Sequence, residues 1–149
     1  MMRQLLKSDL AQIRLIENEV QVTPWTEETF KMCFEAGYRG WIIEVDQKMI
    51  GFVMLSLRAD EGHILNLGVR RAYQRQGFGM RLLRHVMDYA KEYGADMIYL
   101  EVRRTNVKAI ALYQKLQFQQ IGERKHYYPS ANGAEDALVF ARGLSNDQG

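Results

Sequence analysis

The hexapeptide from Gln74 to Gly79, Gln-Arg-Gln-Gly-Phe-Gly, combines the residue types of a phosphate-binding loop. It stands between a strand-like run, His63 to Val69, and a helix-like run, Met80 to Tyr93. Glycine lets the backbone approach a ligand closely and adopt dihedral angles that other residues avoid. The start of the next helix presents unpaired N–H groups and the positive end of the helix dipole. With arginine at positions 70, 71 and 75, the segment predicts a pyrophosphate site.

Three phosphate-binding patterns can be compared with this loop. A P-loop requires GxxxxGK followed by serine or threonine, and the segment has neither that spacing nor the lysine. The dinucleotide fingerprint GxGxxG is matched in part by Gly77-x-Gly79, with Glu101 about twenty residues further on, but Leu82 occupies the third glycine position. The third pattern, Q/R-x-x-G-x-G/A, is present in full from Gln74 onward.

Other parts of the chain extend this third pattern. The pieces are Pro24 to Thr26, Asn66 to Val69, Tyr73 to Gly79, Leu100 to Arg103, Asn106 with Ala109 to Tyr113, Tyr127 to Pro129, and Gly133 with Glu135 to Ala137. Together they resemble the GNAT superfamily of N-acetyltransferases, whose acetyl-CoA loop has the third pattern. The Pro-Trp, Leu-Glu-Val-Arg and Tyr-Tyr-Pro pieces are similar to RimI-like enzymes, which acetylate the N-terminal alanine of a ribosomal protein. Two departures are Gln117, where Leu-Gly-Phe is usual, and Arg70-Arg71, which replaces an Asp-Pro-like pair.

Hydrophobic periodicity predicts helices and strands in an order typical of a mixed α/β protein. The resemblance implies the GNAT fold, a mixed, mostly antiparallel twisted sheet with a central splayed parallel strand pair and flanking helices. It also implies a single acetyltransferase domain over residues 1–149. The predicted strands are 2–6, 41–45, 50–57, 63–69, 97–102, 118–128 and 137–141, the predicted helices begin at Ser8, Thr26, Met80 and Asn106, and a turn covers Pro129 to Gly133.

The composition narrows the classes of protein to which the chain can belong. The 149 residues are 47% hydrophobic and 26% charged, the balance of a globular protein, and a net charge of +2 is too small to predict nucleic-acid binding. Cys33 is the only cysteine, so an internal disulfide cannot form. No apolar run has the length of a membrane span. We therefore expect a cytoplasmic protein that contacts neither a membrane nor nucleic acid directly. The sequence does not determine the oligomeric state, and a monomer is favoured.

Acetyl transfer from a thioester to an amine has three requirements. The amine must lose its proton, the carbonyl oxygen must be stabilised, and the leaving thiolate must be protonated. The resemblance assigns the general base to Glu101, acting directly or through water, and the general acid to Tyr113. The alternatives are a rim glutamate paired with Arg103 and a tyrosine that only packs in the core. The resemblance also implies that the strand Leu67-Gly68-Val69 offers amides to the cofactor and the carbonyl oxygen, and Gly68 fits a local bulge.

The remaining site residues follow from the loop and from the resemblance. Acetyl-CoA is the expected co-substrate, and two aromatic segments are expected to wall the acceptor groove, although aromatic residues beside prolines also commonly pack in cores. His63, His85 and His126 lack metal-ligand spacing, so we expect no metal. The predicted cofactor-binding residues are Leu67, Gly68, Val69, Arg75, Gln76, Gly77, Phe78, Gly79, Met80, Asn106 and Tyr113, and the predicted substrate-binding residues are Trp25, Tyr127 and Tyr128.

The resemblance implies an N-terminal protein acetyltransferase that moves acetyl from acetyl-CoA to the α-amine of an N-terminal alanine, by direct attack in a ternary complex. The expected partner is a flexible protein N-terminus, that of a ribosomal protein. A lysine or small-amine N-acetyltransferase is the alternative, because it uses the same chemistry. A non-catalytic acyl-CoA-binding domain is a third hypothesis, which the presence of both Glu101 and Tyr113 disfavours.

Overall fold

The computed structural model describes residues 1–130 and 133–144. Two short 3-10 helices, Lys7–Asp9 and Arg71–Tyr73, accompany the longer elements. In chain order those elements are β1 (Met2–Gln4), α1 (Leu10–Val20), α2 (Glu27–Glu35), β2 (Arg39–Val45), β3 (Lys48–Arg58), β4 (Glu61–Val69), α3 (Phe78–Glu92), β5 (Met97–Arg103), α4 (Val107–Lys115), β6 (Gln119–Ser130) and β7 (Gly133–Gly143). None of the helices in the described ranges combines the length and the hydropathy that a bilayer span needs.

The strands form one seven-stranded sheet in the order β1-β2-β3-β4-β5-β7-β6. The pairs β1–β2, β2–β3, β5–β7 and β6–β7 are antiparallel, whereas β4 and β5 are parallel. The parallel register runs from Glu61 opposite Met97 to Ile64 opposite Leu100. It ends there, although β4 continues to Val69 and β5 to Arg103. The predicted mixed, mostly antiparallel sheet with a central parallel pair is confirmed.

The chain divides into two compact units, and the first consists of Met1–Ser56 and Leu65–Val86. Its hydrophobic core is formed by α1, α2 and the strands β2 and β3. The apolar residues of these elements recur at helical and strand spacing, which places them on one face of each element. Phe30 of α2 is fully buried, and its ring centroid lies 5.1 Å from that of Trp25 and 5.8 Å from that of Phe52. Full burial of such a side chain contributes about 1.5–3 kcal/mol.

The second unit consists of Leu57–Ile64 and Met87–Gly149. Along β5, buried Ile98, Leu100 and Val102 alternate with the less buried residues at positions 97, 99, 101 and 103. Successive side chains of a strand point to opposite faces of a sheet. Glu101 therefore shares a face with Tyr99 and not with the apolar residues that flank it in the sequence.

Of the four predicted helix starts, those at Thr26 and Asn106 are confirmed, the one at Ser8 is wrong, and α3 begins at Phe78, two residues before the predicted Met80. The side-chain oxygen of Thr26 accepts from the Thr29 N–H at 3.2 Å, and that of Asn106 accepts from the Ala109 N–H at 3.2 Å. Ser8 does not cap α1, because it lies inside the 3-10 helix and Asp9 precedes α1 instead. Burying a carboxylate requires partners, and the Asp9 carboxylate accepts from the N–H of Leu6 at 2.7 Å and from the guanidinium of Arg3 at 2.9 Å.

The last hairpin is longer than predicted. Pro129 and Ser130 belong to β6, and Gly133 opens β7, so the strands extend through most of the predicted turn. Residues 131 and 132 of that prediction lie outside the described residues. The departure at Gln117 is accommodated without glycine, since this residue, which follows the C-cap Leu116 of α4, adopts a φ of +69°. A left-handed conformation costs a non-glycine residue about 1–2 kcal/mol.

Candidate active site

The glycine loop is shaped by two residues in the left-handed region. Arg75 has a φ of +65° and Gly77 a φ of +87°, with one residue between them. Helix α3 then begins at Phe78, and the Gly77 carbonyl accepts from the Arg81 N–H at 3.0 Å. The first N–H groups of a helix have no acceptor within it, and turns of this kind collect N–H groups on one concave surface. The loop can therefore hold a phosphate group through its backbone.

Side chains of the motif hold the loop in shape. The Gln74 side-chain amide donates to the Val69 carbonyl at 2.8 Å, which ties the loop to the end of β4. The Gln76 side-chain amide donates to the Ala72 carbonyl at 3.2 Å. Both glutamine side chains thus bond to the protein backbone, which keeps the turn between β4 and α3 closed.

The predicted strand Leu67-Gly68-Val69 forms the end of β4. A Cβ atom on Gly68 would lie 2.9 Å from Cε1 of Phe52 and 3.2 Å from Cγ2 of Val20, and Gly68 does not adopt a positive φ. Close packing therefore requires glycine here. The Leu67 N–H donates to Oδ1 of Asn66 at 2.9 Å, so this amide is already engaged.

A buried carboxylate organises polar contacts in the first unit. Glu17 of α1 is 1% exposed, and it accepts from the Trp25 N–H at 2.9 Å and from Nδ2 of Asn66 at 3.0 Å. Burial raises the pKa of this carboxyl, while hydrogen bonds from Trp25, Asn66 and Gln21 act in the opposite direction. The Asn66 Oδ1 atom accepts from Gln21 at 3.2 Å as well as from Leu67. These bonds fix the segment carrying Trp25 against β4, and the sequence analysis missed them because their partners are distant in sequence.

Glu101 has a histidine as a partner. Its Oε1 atom lies 2.7 Å from Nε2 of His63 on β4. The Glu101 side chain is 13% exposed and the His63 side chain is 39% exposed, so the carboxylate is the inner member of the pair. Arg103, the alternative partner considered for Glu101, donates to Glu135 at 3.1 Å and to the Pro129 carbonyl at 2.9 Å.

Tyr113 lies on α4 and is 7% exposed. Its ring centroid is 5.9 Å from that of Phe118 and 6.4 Å from that of Phe140, which agrees with the packing interpretation. Burial raises the pKa of Tyr113 to about 12. The phenol therefore keeps its proton at neutral pH, as a hydrogen-bond donor must.

The two tyrosines of β6 lie at an irregular part of the hairpin. The β6–β7 register shifts between Arg124 and Tyr128, where His126 adopts a φ of +54°. Tyr127 and Tyr128 pack edge to face at 4.9 Å, and the Arg103 guanidinium lies 4.6 Å from the Tyr128 ring centroid. Burial raises the pKa of Tyr128, and the charges of its neighbours, Glu101 and Tyr113 among them, raise it further.

The second unit thus brings together several predicted site residues. The charges of Glu101 and Tyr113 both act on Tyr128 and raise its pKa. His63 contacts Glu101 in this group, although the sequence alone assigned no function to His63. Asn106 caps α4, as expected, and Trp25 packs against Phe30 in the first unit. In the described ranges, no three His, Cys, Asp or Glu side chains are grouped as metal ligands.

Comparison with known proteins identifies the chain as an acyl-group transferase. The sequence model of the Acetyltransferase (GNAT) family matches residues 2–118, and the chain belongs to this family. It is 36% identical to the ribosomal protein bS18-alanine N-acetyltransferase of Escherichia coli K12, with 93% of each chain covered.

Solved structures show the same fold. The structure of the Escherichia coli ribosomal-protein-S18-alanine N-acetyltransferase aligns with a TM-score of 0.91 at 33% identity, covering 99% of this chain and 97% of that one. Arabidopsis thaliana NAA60, solved in complex with acetyl-CoA, aligns with a TM-score of 0.85 at 22% identity, covering 98% of this chain and 99% of that one. The chain is therefore an acetyltransferase with the GNAT fold.

Proposed function

We propose that this chain transfers the acetyl group of acetyl-CoA to the α-amine of an N-terminal alanine, and that the acceptor is a ribosomal protein. The observation that carries the proposal is the 36% identity, over 93% of both chains, to an enzyme named for that reaction. The pairing of Glu101 with His63 and the burial of Tyr113 support it, because they provide a base and a proton donor. We further propose that the chain is a single cytoplasmic domain that acts as a monomer and has no direct nucleic-acid or membrane partner.

The glycine loop is the proposed pyrophosphate site. Backbone N–H groups from Gln76 to Met80 would bind the phosphate oxygens, and the Arg75 side chain would add positive charge. The left-handed Gly77 and the start of α3 support this assignment, because the first N–H groups of a helix have no acceptor within it and can bind phosphate oxygens. Asn106 and the amides of Gly68 and Val69 remain candidate contacts to the rest of the cofactor.

The proposed chemistry is direct attack of the amine on the thioester. Glu101 would take a proton from the amine, directly or through water, and Tyr113 would donate to the sulfur as negative charge develops on it. A backbone amide of Gly68 or Val69 would stabilise the carbonyl oxygen, a role in which one donor contributes about 2.7–4 kcal/mol. Burial raises the pKa of the Cys33 thiol, which disfavours the thiolate that an acyl-enzyme route would need.

The acceptor groove is assigned to aromatic residues. Tyr127 and Tyr128 would contact the peptide from the β6–β7 hairpin, and Trp25 would contribute from the α1–α2 connection. The edge-to-face packing of the two tyrosines and the Glu17 bond to the Trp25 backbone support a defined shape for these segments. Aromatic side chains held in a defined shape suit contact with a slim, flexible protein terminus.

Replacement of Gly77 with valine is expected to weaken acetyl-CoA binding by about tenfold, which corresponds to about 1.4 kcal/mol. A β-branched residue is strained at a φ of +87°, and its side chain would occupy the surface that the phosphates approach. The matched control is Gly37→Val, because Gly37 has a φ of +88° and, like Gly77, has no atom within 4 Å of an added Cβ. Calorimetry on both folded variants measures the effect, and equal affinity in the two would refute the assignment of the loop.

The acceptor is tested with a peptide that starts with alanine and carries an internal lysine. We expect mass spectrometry to find acetyl groups on the α-amine, because the N-terminal amine, with a pKa of about 7.7–8.0, loses its proton more readily than lysine. The same peptide with a blocked N-terminus is the control and should remain unmodified. Acetylation confined to the lysine would refute the proposal in favour of the lysine or small-amine alternative.

A further inference from the structure

The proposed reaction releases one proton in every turnover. At neutral pH an acceptor amine carries three protons, and the product amide nitrogen carries one. The C–S bond of the thioester breaks and a C–N bond forms, one proton goes to the sulfur of CoA, and the other goes to solvent. A base that is largely buried must therefore pass a proton to water before it can act again.

The Glu101 carboxylate contacts a titratable side chain that is more exposed to solvent than Glu101 itself. His63 Nε2 lies 2.7 Å from Glu101 Oε1, within the range of a direct proton transfer. Glu101 is 13% exposed, whereas His63 is 39% exposed. The pair thus has an inner carboxylate and an outer imidazole that water can reach.

We propose that His63 carries the proton from Glu101 to solvent. Once Glu101 has accepted a proton from the amine, its Oε1–H donates that proton to Nε2 of His63. The imidazolium then releases its Nδ1 proton to water, and the exposed ring returns to its starting tautomer through solvent. His63 acts through Glu101, so it is a positioning residue, and the inference rests on the proposed function only for the role of Glu101.

The electrostatic setting of the pair is defined by several elements. Tyr99 is opposite His63 in the parallel register, and Glu101 follows two residues later on the same face of β5. Tyr128 lies near enough for the charge of Glu101 to act on it. On the two strands of the pair, the titratable or charged side chains that share its face are Glu61 on β4 and Tyr99 and Arg103 on β5. The charges of Glu101, Tyr113, Tyr127 and Arg103 all act on Tyr128 of β6.

Two variants separate proton transfer from simple support of Glu101. His63→Gln keeps an amide that can donate to the carboxylate but cannot carry a proton at neutral pH, and His63→Ala removes both properties. We expect both to lower kcat at pH 7 by about 100-fold, the lower end of what a positioned proton-transfer group contributes, with KM values little changed. Added imidazole should restore part of the kcat of His63→Ala, and the acidic limb of the pH–rate profile should change in both variants.

The control is His126→Asn, which removes an exposed histidine of the same unit at a left-handed position that asparagine tolerates. It should keep the wild-type pH profile. Wild-type kcat and pH dependence in His63→Gln would overturn the proposal and leave His63 as a support for Glu101. Acetyl-CoA affinity by calorimetry confirms that each variant is folded.

The test also distinguishes failure of this inference from failure of the proposed function. The wild-type enzyme is first assayed on the alanine peptide with the internal lysine. If only lysine is acetylated, the proposed function fails, and the variants are compared on the lysine amine instead. The proton balance is the same for any ammonium acceptor. A loss of kcat in both His63 variants would therefore still support proton transfer through His63, and wild-type kcat in these variants would still overturn it.

Discussion

Replacement of Glu101 with glutamine is expected to lower kcat at pH 7 by about 100- to 10,000-fold, the contribution typical of a general base. The amide has a similar shape to the carboxylate and can still contact His63, but it cannot accept the proton of the acceptor amine. The loss should shrink as the pH rises, because an N-terminal amine with a pKa of about 7.7–8.0 deprotonates without help in mild alkali. Steady-state rates between pH 6 and pH 10 measure both effects.

The matched control for this prediction is Glu135→Gln. Glu135 is also a largely buried carboxylate in the second unit, with 16% side-chain exposure against 13% for Glu101, and it pairs with Arg103. Removing its charge should leave the shape of the pH profile unchanged. A Glu101→Gln enzyme whose profile matches that of the wild type would show that another group is the base.

The substitution Tyr113→Phe is expected to lower kcat by about 100-fold at neutral pH, since it removes the proposed donor to the thiolate. The ring is retained, and with it the contacts to Phe118 and Phe140, so the free energy of unfolding should change little. Acetyl-CoA affinity, measured by calorimetry, should remain close to that of the wild type. Wild-type turnover in this variant would leave Tyr113 with a packing role alone.

The pKa of Tyr113 gives this prediction a second test. Because burial raises that pKa to about 12, the phenol remains protonated from acid to about pH 11. Any fall in wild-type rate between pH 8 and pH 10 must then have another origin, and the Tyr113→Phe profile should run parallel to it. Loss of an alkaline limb in the variant would show that Tyr113 ionises in that range.

Local features of the fold could be predicted from sequence. Thr26 and Asn106 cap their helices as expected because a cap depends on residues within one turn of it. The left-handed conformation of Gly77 could be predicted for a similar reason, since it depends only on a short loop and on the helix that follows the loop. The same reasoning was wrong for Ser8, which lies inside a 3-10 helix, so that Asp9, whose carboxylate contacts Arg3, precedes α1 instead.

Contacts between distant segments could not be predicted in this way. The pairing of His63 with Glu101 depends on the register of two parallel strands, and the sequence of neither strand by itself specifies that register. The irregular stretch of β6 near His126 depends likewise on its alignment with β7. The resemblance to a known family identified Glu101 and Tyr113 as candidates, but it did not indicate which side chains surround them.

The contact between Glu17 and Asn66 limits which substitutions these two positions can accept during evolution. Glu17 presents only acceptors, so Asn66 must turn its Nδ2 toward Glu17 and its Oδ1 toward Leu67. Glu17→Gln alone would set a donor against a donor, and Asn66→Asp alone would set a second carboxylate beside the buried carboxylate of Glu17. Both changes together would satisfy every partner again, because the new amide could donate to the new carboxylate. Positions 17 and 66 are therefore expected to vary among descendants of this chain as a pair, with each single change a poorly tolerated intermediate.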